Sequence, residues 1–154
     1  MPAETDARLC QRIVEQTPDA IIVADRDGII RLWNRGAEAM FGYQAEEAVG
    51  QSLDIISPER LRESHWEGYR NVLETGVTRY GDELLAVPGI RKDGASISLE
   101  FSIALLRDEK DEPSGFSAIL RDVTKRWEEQ KAMKERIAAL EAQVQNTLPP
   151  PAER

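Results

Sequence analysis

Phe116-Ser117-Ala118-Ile119-Leu120-Arg121-Asp122-Val123-Thr124 is a short apolar strand running without a break into a charged helical stretch. Beyond it, Val123, Met133, Ile137, Leu140 and Val144 recur at alternating three- and four-residue steps, with Arg126 and Gln130 filling the intervening positions. That spacing is the a/d seam of a coiled coil. A sheet strand joined directly to such a helix can hand a change of shape to a partner. The chain therefore reads first as a sensor with an output helix.

Working back from that junction, Asp108–Ser114 is a polar loop containing Pro113. Before it, Ile97, Leu99, Phe101 and Ile103 alternate through a strand over Ser96–Leu106. Arg91-Lys92-Asp93-Gly94 supplies a turn, and Arg79–Val87 reads as the strand on its other side. Upstream, Glu59–Glu74 is the longest internal helix, opened near Pro58 and closed by Gly76. Ala45–Val49 is a helical turn, and Asn34 caps a short helix over Arg35–Phe41 that Gly42 ends. At the start, Ala20–Ala24 and Ile29–Trp33 make a hairpin about Asp25-Arg26-Asp27-Gly28, preceded by a helix from Leu9 to Gln16. Two strands, a helical block and three strands predict an α+β class with one antiparallel sheet and helices on one face.

Composition narrows the function. The 154 residues suit one domain and a helical tail, with 41% hydrophobic and 31% charged residues. A net charge of −8 with scattered basic residues disfavours nucleic acid, whose affinity comes from Lys and Arg against phosphate. No apolar run approaches the roughly 18 residues that span a bilayer, and the acidic start is unlike a secretory signal. The single cysteine, Cys10, excludes an internal disulfide and a multi-cysteine metal cluster. The expectation is a cytoplasmic chain without membrane or nucleic-acid partners. Cys10 is expected to pack as a small apolar residue.

In order and spacing, Asp25-Arg26-Asp27-Gly28-Ile29-Ile30, Trp33-Asn34, Phe41-Gly42-Tyr43, Gly50, Arg91-Lys92-Asp93-Gly94 and Arg121-Asp122-Val123-Thr124 resemble the PAS (S-box) sensory domain. The resemblance covers about residues 9–125. It implies the PAS fold: a five-stranded antiparallel sheet cupping helices, a ligand pocket between them, and a C-terminal coiled-coil helix. The corresponding divisions are a mobile leader at 1–8, the sensory domain at 9–124, a signalling and dimerisation helix at 125–146 and a disordered proline-rich tail at 147–154. Asp122 and Thr124 then form the signalling junction, tying the tail helix to the sheet edge through a cap-like hydrogen bond.

His65 is the only histidine, and it lies within the Glu59–Glu74 helix with Tyr69 one turn later. Imidazole is a common proximal ligand of haem iron. The chain is similar here to the haem-binding PAS domains of FixL-type oxygen sensors, whose ligating histidine sits on this helix at a similar interval before the Arg-x-Asp-Gly turn. That similarity implies haem b held by His65, with Arg79 pairing a propionate through its guanidinium. Tyr69, Tyr80, Leu85, Leu99, Phe101 and Ile103 would complete the pocket. The chain departs from those sensors at Leu85, where they place a ligand-gating arginine, and at Asn71, where they place a basic residue. Leu85 donates no hydrogen bond, so carbon monoxide, nitric oxide or a redox change suits this pocket better than oxygen.

Alternatives stand beside that reading. His65 on an amphipathic helix is equally a boundary residue of a PAS module without cofactor, built for dimerisation and partner docking. A non-covalent flavin is a further candidate, with Trp33 as a possible wall. A cysteinyl-flavin adduct is excluded by Asp54-Ile55-Ile56-Ser57-Pro58-Glu59, which contains no cysteine. Ser57, Ser64 and Ser102 belong to no nucleophile motif, and no glycine-rich phosphate loop precedes a helix. An enzyme is not expected. The tail helix lacks the histidine of a phosphoacceptor helix, so output passes to a downstream signalling protein or effector domain. Met133, Ile137, Leu140 and Val144 are the expected homodimer seam, the alternative being a helix folded back on its own sheet.

Overall fold

In the computed structural model, residues 2–78, 85–149 and 151 are described. The expected strand start at 79–84, with Arg79 and Tyr80, lies outside them. Five strands form one antiparallel sheet in the order β2-β1-β5-β4-β3: β1 (Ala20–Asp25), β2 (Ile30–Trp33), β3 (Leu85–Ile90), β4 (Ser96–Arg107) and β5 (Pro113–Asp122). Helices α1 (Pro2–Gln16), α2 (Arg35–Phe41), α3 (Ala45–Ala48) and α4 (Arg62–Thr75) accompany it, and α5 (Thr124–Thr147) follows. The α+β class and five-stranded sheet are as expected. Residues 1–122 and 123–154 form two compact units.

Local chemistry explains the turns. Asp25 Oδ1 accepts the amides of Asp27 at 2.9 Å and Ile29 at 3.1 Å, and Gly28 takes φ +75° in the first hairpin. Asp93 Oδ1 accepts the Ala95 amide at 2.9 Å beside Gly94 at φ +87° in the second.

Asn34 does more than cap α2. It is 4% exposed, and its Oδ1 accepts from Ala37 N at 3.0 Å and from Ile21 N at 2.8 Å. Its Nδ2 donates to the carbonyls of Val14 at 2.7 Å and Asp19 at 3.0 Å. One side chain thus joins the end of α1, the start of β1 and the start of α2.

Alternation places the core on one face of the sheet. Ala20, Ile22 and Ala24 of β1 and Ile97 and Leu99 of β4 are buried at two-residue steps, and Phe116 and Leu120 of β5 at a four-residue step. Ile30, Trp33, Ala37, Phe41 and Ala48 fill one end of this core. Tyr69, Leu73 and Phe116 form a second cluster beneath α4. Pro88 lies within β3, an edge strand, where its missing N–H need not break a ladder.

Several boundaries differ from expectation. The first helix begins at Pro2, where a mobile leader was expected up to residue 8 and a helix only from Leu9. Cys10, expected to pack, is exposed on that helix. Glu59–Glu74 resolves into a 3-10 turn at Glu59–Leu61 followed by α4, and a further 3-10 turn spans Leu53–Ile56. β3 continues through Pro88 to Ile90, past the expected end at Val87. α5 ends at Thr147, ahead of Pro149. Its N-cap position falls on Val123.

Candidate functional site

A cavity of about 480 Å³ lies between α4 and the buried face of the sheet. That volume is within the usual range for small-ligand sites. Its floor is a set of cross-strand rows. Leu85 pairs with Phe101 and Phe101 with Leu120; Val87 pairs with Leu99; Ile103 pairs with Ala118 and Ala118 with Ile22. Because strand side chains alternate, these rows present one continuous apolar surface. The roof is α4, where His65, Gly68, Tyr69 and Val72 line the cavity at helical spacing, joined by Leu61 of the preceding 3-10 turn.

Polar lining groups are mostly occupied. The Ser57 hydroxyl donates to the Leu53 carbonyl at 3.3 Å, and Ser64 to the Leu61 carbonyl at 3.1 Å. Tyr69 donates to the Asp25 carbonyl. Burial, then the carboxylates of Asp25 and Asp27, push the Tyr69 hydroxyl far above its usual pKa, so it stays protonated and remains a donor.

His65 is different. Among the described residues its Nδ1 is the one buried side-chain polar atom without a hydrogen-bond partner. Burial lowers the His65 pKa, while the Asp54 carboxylate pulls the other way. The imidazole is therefore neutral at pH 7, the form that binds metals. Its ring meets Trp66 at 4.9 Å and Tyr69 at 5.8 Å between centroids, and Tyr69 continues onto Phe116 at 4.6 Å. Trp66 Nε1 donates to Asp54 Oδ1 at 2.8 Å, which fixes the indole beside the imidazole. Among the described residues no three His, Cys, Asp or Glu side chains converge as a metal site.

Of the residues expected from the sequence, His65, Tyr69, Leu85, Leu99, Phe101 and Ile103 line this cavity together. Arg79 and Tyr80 lie outside the described residues. Trp33, weighed as a flavin wall, instead packs in the core against Phe41 at 5.5 Å, with Nε1 donating to the Tyr43 carbonyl at 3.0 Å, and does not line the cavity. Sequence reasoning missed Ile22, Ala24, Phe116 and Ala118. The alternation in β1 and β5 carried that signal, β5 being the central strand of the sheet and β1 its neighbour.

α5 is a unit of its own. Met133, Ile137, Leu140 and Val144 are exposed along it, Met133 at 63% and Ile137 at 49%. Among the described residues no helix is long and apolar enough to cross a membrane.

Comparison with known proteins gives this geometry a family. The family model described as PAS fold matches residues 8–123. The sensor protein FixL of Bradyrhizobium diazoefficiens is 33% identical over 126 residues, covering 80% of this chain and 24% of its own. The cell-division control histidine kinase PdhS of Brucella ovis is 29% identical over 120 residues, covering 77% of this chain and 11% of its own. This chain thus spans a quarter or less of the length of these relatives. Among solved structures, the PAS domain of a protein from Colwellia psychrerythraea aligns with TM-score 0.69 and 26% identity, over 78% of this chain and 98% of that one. An RNA-binding light-oxygen-voltage receptor aligns with TM-score 0.71 over 90% of this chain and 39% of that one, and at 19% identity shows a shared fold alone. With most of its length matched, this chain belongs to the PAS fold family.

Proposed function

We propose that this chain is the sensory module of a larger signal-transduction protein, and that it takes haem b into the cavity under α4 with His65 as the iron ligand. The observation that carries the reading is the chain's single imidazole, partly buried and held neutral, on the wall of an apolar cavity. With no converging set of protein donors among the described residues, iron at His65 requires a ligand that brings its own equatorial nitrogens. Bound haem would supply the iron that takes a diatomic gas or changes redox state. Leu85, Leu99, Phe101 and Ile103 would pack against the macrocycle and exclude water, while Arg79 is the proposed propionate partner. Among the described residues no side chain of the sheet-side lining, Leu85 included, donates a hydrogen bond, which favours carbon monoxide, nitric oxide or a redox change over oxygen.

Output would leave through Asp122 and Thr124 into α5. The exposed stripe of Met133, Ile137, Leu140 and Val144 supports a homodimer there and passage of the signal to an effector domain or partner protein. The same stripe favours a second reading, a dimerisation module that binds no cofactor. The acidic charge and the single cysteine suit a cytoplasmic module without nucleic-acid or membrane partners, and one that performs no catalysis itself. Haemin titration of the purified chain separates the readings. A sharp Soret band that His65→Ala abolishes is the expected result, and a spectrum unchanged by that substitution removes the haem reading. A flavin spectrum from the purified protein would replace it.

A further inference from the structure

Gly68 stands in the middle of α4, three residues after His65, and lines the same cavity. Glycine is a poor helix former, so its presence there needs a reason. The backbone does not require it, because Gly68 is not among the glycines with positive φ. Packing does not require it either. A Cβ on Gly36 would meet the Asp19 carbonyl oxygen at 2.1 Å, and one on Gly89 would meet Leu99 Cδ1 at 2.5 Å, whereas one on Gly68 would meet no heavy atom within 4 Å. What glycine provides at this exposed position on the cavity rim is open space where a side chain would stand.

We propose that Gly68 determines the shape of the ligand: it keeps a strip of α4 bare beside His65, so that a flat ring system can lie against the helix while the imidazole holds its centre. This rests on the haem reading and adds to it a residue that meets the ring itself. A slender, chain-like ligand would have no need of the bare strip. A broad planar one would, since its edge must pass the helix one turn from its point of attachment. The opposite wall, Leu99 and Phe101, is apolar and suits a ring face.

The test uses Gly68→Ala and Gly68→Leu in the full chain, with haemin and metal-free protoporphyrin IX as probes. Both variants gain helix propensity, so their unfolding midpoints should rise by roughly 3 °C. Their haemin affinity should nevertheless fall, by about tenfold for alanine and about a hundredfold for leucine, as filling the space forces a clash. Protoporphyrin IX binding, followed by quenching of tryptophan emission, should weaken by the same factors, and His65→Ala should abolish the haemin Soret band. Unchanged affinity for both probes in a folded Gly68→Leu variant overturns the inference and leaves the haem reading standing. Porphyrin binding that depends on Gly68, without a His65-dependent Soret band, supports the inference and overturns the haem reading. A wild-type chain that takes neither probe overturns both.

Discussion

The Tyr69 hydroxyl donates to the backbone carbonyl of Asp25, so the helix roofing the cavity is tied to the corner where β1 enters its hairpin. Asp25 also faces Gly115 across the β1–β5 ladder, and Arg26 Nη1 donates to the Pro113 carbonyl at the start of β5. The Asp25 side chain holds the hairpin itself: Oδ1 takes two turn amides, and Oδ2 takes Arg31 Nε at 2.7 Å. A residue in contact with the ligand cavity is therefore one hydrogen bond away from β1, the neighbour of the central strand β5.

Removing only that hydroxyl tests the tie. Tyr69→Phe keeps the ring against Phe116 and should cost about 1 kcal/mol. Tyr69→Ala also empties the space under α4 and should cost about 3–4 kcal/mol. Urea unfolding gives both values. Equal costs for the two variants would mean that the aromatic packing contributes nothing.

His65 gives a pH signature. Its folded pKa lies below its ordinary 6.5, so the unfolded chain takes the proton first. Stability is then complete above pH 6.5 and declines as pH falls from there toward the lower folded value. As His65 is the only histidine, His65→Leu should remove the decline in stability that sets in as pH falls below 6.5. At pH 7.5 the variant without ligand should be more stable by about 1 kcal/mol, because an unsatisfied buried nitrogen has gone. A wild-type slope that persists in the variant would assign the effect elsewhere.

Asn34 should be the most sensitive polar position in the domain. Asn34→Ala leaves the amides of Ile21 and Ala37 and the carbonyls of Val14 and Asp19 without their partner. A loss of about 3 kcal/mol is expected, above the usual cost of a missing helix cap. Thermal unfolding measures it, and a loss under about 1 kcal/mol would show that water replaces all four bonds.

The α5 stripe is tested by Ile137→Glu with Leu140→Glu. If the stripe is a dimer seam, light scattering should show a dimer for the wild type and a monomer for the double variant. Haemin uptake should be unchanged, because neither residue lines the cavity.

Much of the fold was legible because it depends on neighbours in sequence. Gly28 and Gly94 follow aspartates that accept turn amides two residues on, Asn34 precedes an apolar helix that Gly42 ends, and the β4 residues alternate. Each of these signals operates within four residues. The start of α1 was not legible for the same reason: it has few local marks of a helix start, and one anchor of the helix, the Val14 carbonyl, reaches Asn34 twenty positions later. Cys10 was placed inside by residue type, but which face of α1 turns inward depends on what α1 meets.

What the sequence by itself determined is the order of elements, the turn chemistry, the apolar alternation and the singularity of His65, all short-range or compositional properties. Tertiary structure alone decided that strands from both ends of the domain meet in one floor, that Trp33 belongs to the core while Phe116 and Ala118 line the cavity, and that the His65 nitrogen has no partner. Those facts depend on pairings such as Ile22 with Ala118 and Phe101 with Leu120. A cavity is a property of surfaces brought together from distant parts of the chain, and so is the absence of a hydrogen bond. Neither can be read before the fold has chosen which groups become neighbours.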